Sequence, residues 1–295
     1  MAKKHITGEG HGQKGHFAGL SNDLNSKIAI LPVAFDLTTT YQKGTRKGPA
    51  AIIEASRNLE LYDIDTDSSV HQLGISTEKE IKKRTSETML KAVFDKTSEL
   101  IEDKKFVVVL GGEHSISFAS IKAHAEHYKK LTVLQLDAHA DLQNAYEENL
   151  WSHASVMKRV QEIPQVSKIV SVGIRSLAES EIPNLQPQCT FFSHQLDREN
   201  KWMDQVIAQL KSPVYITFDV DVFDSALMPS TGTPEPGGLD WNTTITFLKK
   251  VTKSKKIIGF DVVELSPRKG AHAPDYLAAK LVYKLLSFIF NPKKL

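Results

Sequence analysis

Leu131-Thr132-Val133-Leu134-Gln135-Leu136-Asp137-Ala138-His139-Ala140-Asp141 joins a short apolar run to an acidic cluster with a histidine at its centre. The first six residues have the length and composition of a β-strand, and the next five carry a ligand-type side chain at every second position. In an extended chain residues i, i+2 and i+4 face one way, so Asp137, His139 and Asp141 are expected to converge. Carboxylates brought together repel unless a cation or several hydrogen bonds hold them. Two further stretches repeat the arrangement. Gly111-Gly112-Glu113-His114-Ser115 follows an apolar run at 106–110, and Phe218-Asp219-Val220-Asp221 follows Val214-Tyr215-Ile216-Thr217.

Short runs rich in Val, Ile and Phe alternate with longer amphipathic stretches, which is the pattern of a parallel sheet with crossover helices. The fold class expected is α/β. Strands are predicted at 27–32, 106–110, 131–137, 168–173, 189–193, 213–219 and 256–261, with helices between them. Proline at the first turn marks a helix starting at Gly48-Pro49, residues 86–101 carry apolar residues at helical spacing, and 275–290 reads as a closing helix stopped by Asn291-Pro292. No repeat or linker divides the chain. Residues 1–24 read as a polar segment with the composition of a mobile terminus, and 25–295 as one catalytic domain, because the ligand clusters lie far apart in sequence and a shared site needs them together. Ligands of open α/β sheets collect beyond the carboxyl ends of strands, where each cluster falls.

The chain has 295 residues, 41% hydrophobic and 24% charged, with 37 basic against 35 acidic residues. Scattered lysines do not suggest nucleic-acid binding, and no apolar stretch approaches the roughly 20 residues of a membrane span. Without a secretory signal the expected location is cytoplasmic. Cys189 is the single cysteine, which excludes an internal disulfide and any multi-cysteine metal site. His5, His11 and His16 lack regular spacing, and Asp224 reads as a turn former.

Four aspartates and two histidines make a mixed oxygen and nitrogen set that suits Mn²⁺, although zinc, nickel and iron accept such ligands. Six side chains exceed what one open catalytic ion needs and suffice for two ions about 3.5 Å apart. Two divalent cations against four aspartates, with a bridging hydroxide, leave the site slightly negative, which favours a cationic substrate. Metal-assisted hydrolysis is the reaction class.

Gly-Gly-Glu-His-Ser at 111–115, Asp-Ala-His-Ala-Asp at 137–141, Ser-His-Ala-Ser at 152–155 and the run from Asp219 through Thr231-Gly232-Thr233-Pro234 resemble the ureohydrolase superfamily of arginases and agmatinases. The resemblance spans roughly 28–285 with four motifs in order. It implies a three-layer αβα fold and a two-manganese site. His114, Asp137, Asp141 and Asp219 would hold one ion, and Asp137, His139, Asp219 and Asp221 the other, with Asp137 and Asp219 bridging. His153 matches the family's proton-shuttling histidine, Glu264 the carboxylate that pairs with the guanidinium, and Thr233 a threonine of the substrate pocket. Asp141 would relay a proton to the departing amine. A homo-oligomer, trimeric or hexameric, is also implied.

The segment between Asp141 and His153 should choose the substrate. Arginases hold a carboxylate there with Asn and Ser groups in a pattern that is missing from Leu142-Gln143-Asn144-Ala145-Tyr146-Glu147-Glu148-Asn149-Leu150-Trp151-Ser152, and Thr38-Thr39-Thr40-Tyr41 with Gly44-Thr45-Arg46 is similar to prokaryotic agmatinases. Agmatine, cleaved to putrescine and urea, is the expected substrate, and Glu147 and Glu148 are the candidates to attract its distal cation. Guanidinobutyrase, arginase and formimidoylglutamase are the alternatives within the enzyme class. A catalytically silent regulatory homologue and a single-zinc amidohydrolase related to histone deacetylases stand outside it.

Overall fold

Eight strands form one sheet in the computed structural model, which describes residues 12–196, 199 and 201–291. The strands are β1 (Ile28–Val33), β2 (Ile75–Thr77), β3 (Phe106–Gly111), β4 (Leu131–Leu136), β5 (Val166–Ile174), β6 (Thr190–Phe192), β7 (Val214–Asp219) and β8 (Ile257–Val263). Every pairing is parallel, and the spatial order is β2-β1-β3-β8-β7-β4-β5-β6. Seven strands lie where the sequence placed them, to within a few residues at their ends. β2, only three residues long, falls below what an alternation pattern can reveal.

Seven helices cover the two faces: α1 (Gly48–Ser56), α2 (Ser86–Glu102), α3 (Ser117–Tyr128), α4 (Val156–Gln161), α5 (Lys201–Gln209), α6 (Trp241–Ser254) and α7 (His272–Ile289). Helices α1, α7, α6 and α5 pack side by side on one face, and α2, α3 and α4 on the other. The period of two sorts the central strands between these layers. In β3, Val108 and Leu110 enter the first core, while Val107 and Val109 enter the second. A strand buried on both faces has no polar side, which is why these runs read as continuously apolar. The three-layer αβα expectation is met.

The described part of the polar segment 1–24 does not stand apart from the domain. Phe17 is fully buried among residues of β1, β2 and α1, a burial of order 2–3 kcal/mol. Its amide donates to Thr77 Oγ1 at 2.9 Å, the Ala18 amide donates to Ser56 Oγ at 2.7 Å, and Asn22 exchanges two hydrogen bonds with the Thr77 backbone. One aromatic residue in a polar stretch was the available signal. His16 pairs with Asn22 rather than with other histidines, and His5 and His11 lie outside the described residues.

Candidate metal centre

The four middle strands, in the order β3-β8-β7-β4, carry the ligand-type residues at their carboxyl ends. After β3 the chain passes so close to a neighbouring loop that a Cβ on Gly112 would lie 1.9 Å from the Phe35 carbonyl oxygen. Only glycine fits there. The Gly112 amide donates to Val33 O and its carbonyl accepts from the Glu264 amide, so the turn is held on both sides before it delivers His114.

His114 Nδ1 lies 3.0 Å from Asp141 Oδ2, 3.1 Å from Asp137 Oδ2 and 3.4 Å from Asp219 Oδ2. At its other edge Nε2 is 2.8 Å from Thr217 Oγ1, whose hydroxyl donates to Asp261 Oδ1 at 2.7 Å. That hydroxyl must therefore accept from Nε2–H, which leaves a lone pair on Nδ1. Nδ1 is buried and makes no hydrogen bond. A lone pair aimed at three carboxylate oxygens is repulsive in isolation, so this donor set fits a cation among them.

His139 Nδ1 sits 2.9 Å from Asp221 Oδ2 and 3.7 Å from Asp137 Oδ1. Two groups with ligand atoms within 4.8 Å of one another result: His114 with Asp137 and Asp219, and Asp137 with His139 and Asp221. They share Asp137. Asp219 turns Oδ2 to His114 while an Asp219 oxygen, Oδ1, accepts the Asp221 amide at 2.9 Å. Burial, then the charges of Asp221 and Asp137, push Asp219 well above the usual carboxylate range, and burial with the Asp137 charge raises Asp141 to about 7. Burial alone would depress His139, but Asp221 overrides it and lifts the imidazole to about 10.

The convergence of Asp137, His139 and Asp141 has a different cause from the one expected. β4 ends at Leu136, the His139 amide closes onto Asp137 Oδ1 at 2.6 Å, and Asp141 has φ +55°. A bend at Ala138, an isolated parallel bridge from His139 to Ser176 and the left-handed backbone of Asp141, rather than one continuous strand, gather the three, and Ala138 and Ala140 are buried. Glu264 is likewise left-handed, with φ +66°, at a cost of about 1–2 kcal/mol, and accepts the His114 amide at 2.6 Å.

These residues face a cleft of about 210 Å³ that also takes in His153, Thr233, Gln143, Tyr146, Tyr41, Ser176 and Glu181. His153 lies against Thr38 at 3.1 Å, and burial, then the neighbouring imidazoles, lower it to about 4. Among the described residues lining the cleft there are five carboxylates, on Asp141, Glu181, Asp219, Asp221 and Glu264, and no lysine or arginine.

Comparison with known proteins agrees with this layout. The sequence model of the Arginase family matches residues 26–287. The chain belongs to the arginase family. An N(1)-aminopropylagmatine ureohydrolase of Synechocystis sp. is 33% identical over 275 residues, covering 90% of this chain and 89% of the relative. An agmatinase of Pyrococcus horikoshii is 34% identical over 260 residues, covering 87% and 90%. The solved agmatine ureohydrolase of Thermoplasma volcanium superposes with a TM-score of 0.83 at 28% identity over 92% of each chain.

Within this arginase-family fold the structure brings together His114, Asp137, His139, Asp141, Asp219 and Asp221 and places His153, Glu264 and Thr233 on the same cleft. It does not place Glu147 and Glu148 there. Both are exposed, with φ +47° and +61°, at the tip of a two-residue turn closed by reciprocal Tyr146–Asn149 backbone bonds, which points them to solvent. The arginase-family cleft has a carboxylate that sequence reasoning missed, Glu181, 4% exposed and held by the Leu142 and Ala178 amides. Its bond to Ala178 is local, three residues away, whereas the bond to Leu142 that turns it into the cleft comes from 39 positions earlier and has no local sequence mark. Asp224 is the loop anchor expected, accepting from Ala226, Gly237 and Gly238, and Arg268 meets Gln42 rather than Glu264.

Proposed function

We propose that this guanidino ureohydrolase cleaves agmatine, giving putrescine and urea. The observation that carries the reading is that the described cleft lining has no lysine or arginine and has two carboxylates, on Glu181 and Glu264, beyond those given to the ions, which suits a substrate cationic at both ends and offers nothing to an amino acid's carboxylate. The names of the relatives in Synechocystis and Pyrococcus support a decarboxylated guanidino amine, and the former favours N1-aminopropylagmatine as a second reading.

Two manganese ions per chain would be held by this donor set, one by His114, Asp137, Asp141 and Asp219 and the other by Asp137, His139, Asp219 and Asp221, a reading supported by the two groups that share Asp137. Bound there, divalent cations supply a water acidified enough to act as nucleophile at neutral pH and a positive field for developing negative charge. Glu264, at the floor of the cleft, orients the guanidinium through charge-assisted hydrogen bonds, and Thr233 lines its path. Water adds to the guanidino carbon, the bond to the alkyl nitrogen breaks, and that nitrogen leaves as an amine once it gains a proton. Asp141 and His153, both at the cleft, hold and pass that proton. A cytoplasmic homo-oligomer, trimeric or hexameric, belongs to the same reading, and light scattering on the purified protein tests the assembly.

The deciding experiment is urea release by manganese-loaded protein from agmatine, N1-aminopropylagmatine, 4-guanidinobutyrate and arginine. The highest kcat/KM is expected for agmatine. Turnover of arginine with none of the two decarboxylated amines overturns the proposal.

A further inference from the structure

Behind His153, and outside the cleft lining, stand two residues to which nothing above gives a role. Glu113 is fully buried. Its Oε2 accepts the Thr38 amide at 2.7 Å, and its Oε1 accepts the Thr38 hydroxyl at 2.7 Å and the Ser115 hydroxyl at 2.6 Å. Thr38 Oγ1 in turn lies 3.1 Å from His153 Nδ1 and accepts the His153 amide at 3.1 Å.

A hydroxyl has one proton to give. Spent on Glu113, it leaves only lone pairs for the imidazole, so His153 Nδ1 must carry a hydrogen and donate it to Thr38. Ser152 Oγ, at 3.4 Å from the same nitrogen, accepts the Ala154 amide and keeps a second lone pair for that hydrogen. With Nδ1 engaged on the wall, Nε2 is the nitrogen left for the cleft, bearing a lone pair when the ring is neutral. The opposite tautomer would present an N–H there and could accept nothing.

We propose that Thr38, oriented by Glu113, is a positioning residue that fixes the tautomer of His153 so that Nε2 is the proton-accepting atom of the active site. The inference rests on the proton-transfer role given to His153 above. It also explains a requirement at each position. Thr38 must offer two lone pairs and one O–H, which serine supplies and valine does not. Glu113 must present only acceptors to Thr38. Glutamine in its place would keep the shape but turn an amide toward Thr38 and Ser115, forcing the Thr38 proton onto His153 Nδ1.

The test compares wild type with Thr38→Ser, Thr38→Val and Glu113→Gln. Manganese content and KM are expected to stay within about threefold in all four, while kcat falls at least about tenfold in Thr38→Val and Glu113→Gln and recovers in Thr38→Ser. Imidazole ¹⁵N spectra of the diamagnetic zinc-loaded proteins, with the His153 signal assigned by its loss in His153→Asn, should show Nδ1–H in wild type and Nε2–H in Glu113→Gln. A Thr38→Val enzyme with wild-type kcat, a parallel fall of metal content and kcat, or one tautomer shared by wild type and Glu113→Gln overturns the inference. The spectra do not need turnover, so a wild-type protein that releases no urea would sink the assigned activity and leave the tautomer result standing.

Discussion

Thr217 on β7 and Asp261 on β8 sit opposite one another in the parallel register, and the Thr217 hydroxyl donates to Asp261 Oδ1 at 2.7 Å. The same hydroxyl takes the hydrogen of His114 Nε2, so a buried aspartate outside the cleft decides which nitrogen His114 offers to the carboxylates. Tyr215 holds the other Asp261 oxygen at 2.9 Å. Groups that orient a ligand in this way typically contribute about 10–100-fold in metal affinity. Thr217→Val should therefore weaken Mn²⁺ binding to the metal-free protein by about that factor in calorimetric titration, and Thr217→Ser should restore it to within about threefold. Equal affinities for wild type and Thr217→Val would show that His114 is oriented by packing alone.

Chelation should cost stability as well as activity. An ion that binds only the folded chain at a hundred times its Kd adds about 2.7 kcal/mol, which for a domain of this size is roughly 4 °C in Tm. Treatment with a chelator is expected to lower Tm by about that amount and to abolish urea release, both recovered on adding Mn²⁺. An unchanged Tm would argue that the carboxylates are satisfied without an ion.

Glu147 and Glu148 should be dispensable. Their charges lie at an exposed turn tip, where a cation in the cleft is screened from them. Replacing both by alanine is expected to change kcat/KM for agmatine by no more than about twofold. A drop beyond tenfold would mean that the turn folds over the cleft during turnover.

Acid should destabilise the fold through a histidine remote from the centre. His124 in α3 is fully buried, and burial lowers its imidazole to about 4, with Ser120 O accepting from Nδ1 at 2.8 Å. The folded pKa lies below the unfolded 6.5, so the unfolded chain binds the extra proton between those values. The stability contributed by neutral His124 is complete above pH 6.5 and is lost as pH falls toward 4, a change of about 3 kcal/mol. Denaturant unfolding of wild type and His124→Gln from pH 7 to 4 should show the gap between them shrink by that amount. Other groups titrate in both proteins and cancel. A gap that stays constant with pH would refute the assignment.

How far the chain could be read depended on whether a residue's partner is set by spacing or by sheet order. Phe106–Gly111 and Val214–Asp219 were legible because both faces are buried and the runs are rich in Val, Ile, Phe and Tyr. The six ligand-type residues were legible because each follows such a run directly. Thr38 and Glu113, 75 positions apart, were not, since their bond exists only once β1 and β3 are neighbours. The bond from the Leu142 amide to Glu181, 39 positions apart, was hidden for the same reason. Glu147 and Glu148 stand exposed at a turn whose two positive φ values are a backbone feature that their charge does not reveal. Phe17 was overlooked in a stretch judged by its average polarity.

β8, the last strand among the described residues, is fourth in the order of eight and separates β3 from β7 at the heart of the sheet. On a chain emerging from the ribosome, His114, Asp137 and Asp219 are all made before the strand that sets their spacing exists. Contacts of such long sequence separation form late. The distance between His114 and Asp219 is therefore set only when β8 enters the sheet, and full metal affinity is expected only of a chain synthesised at least through Val263.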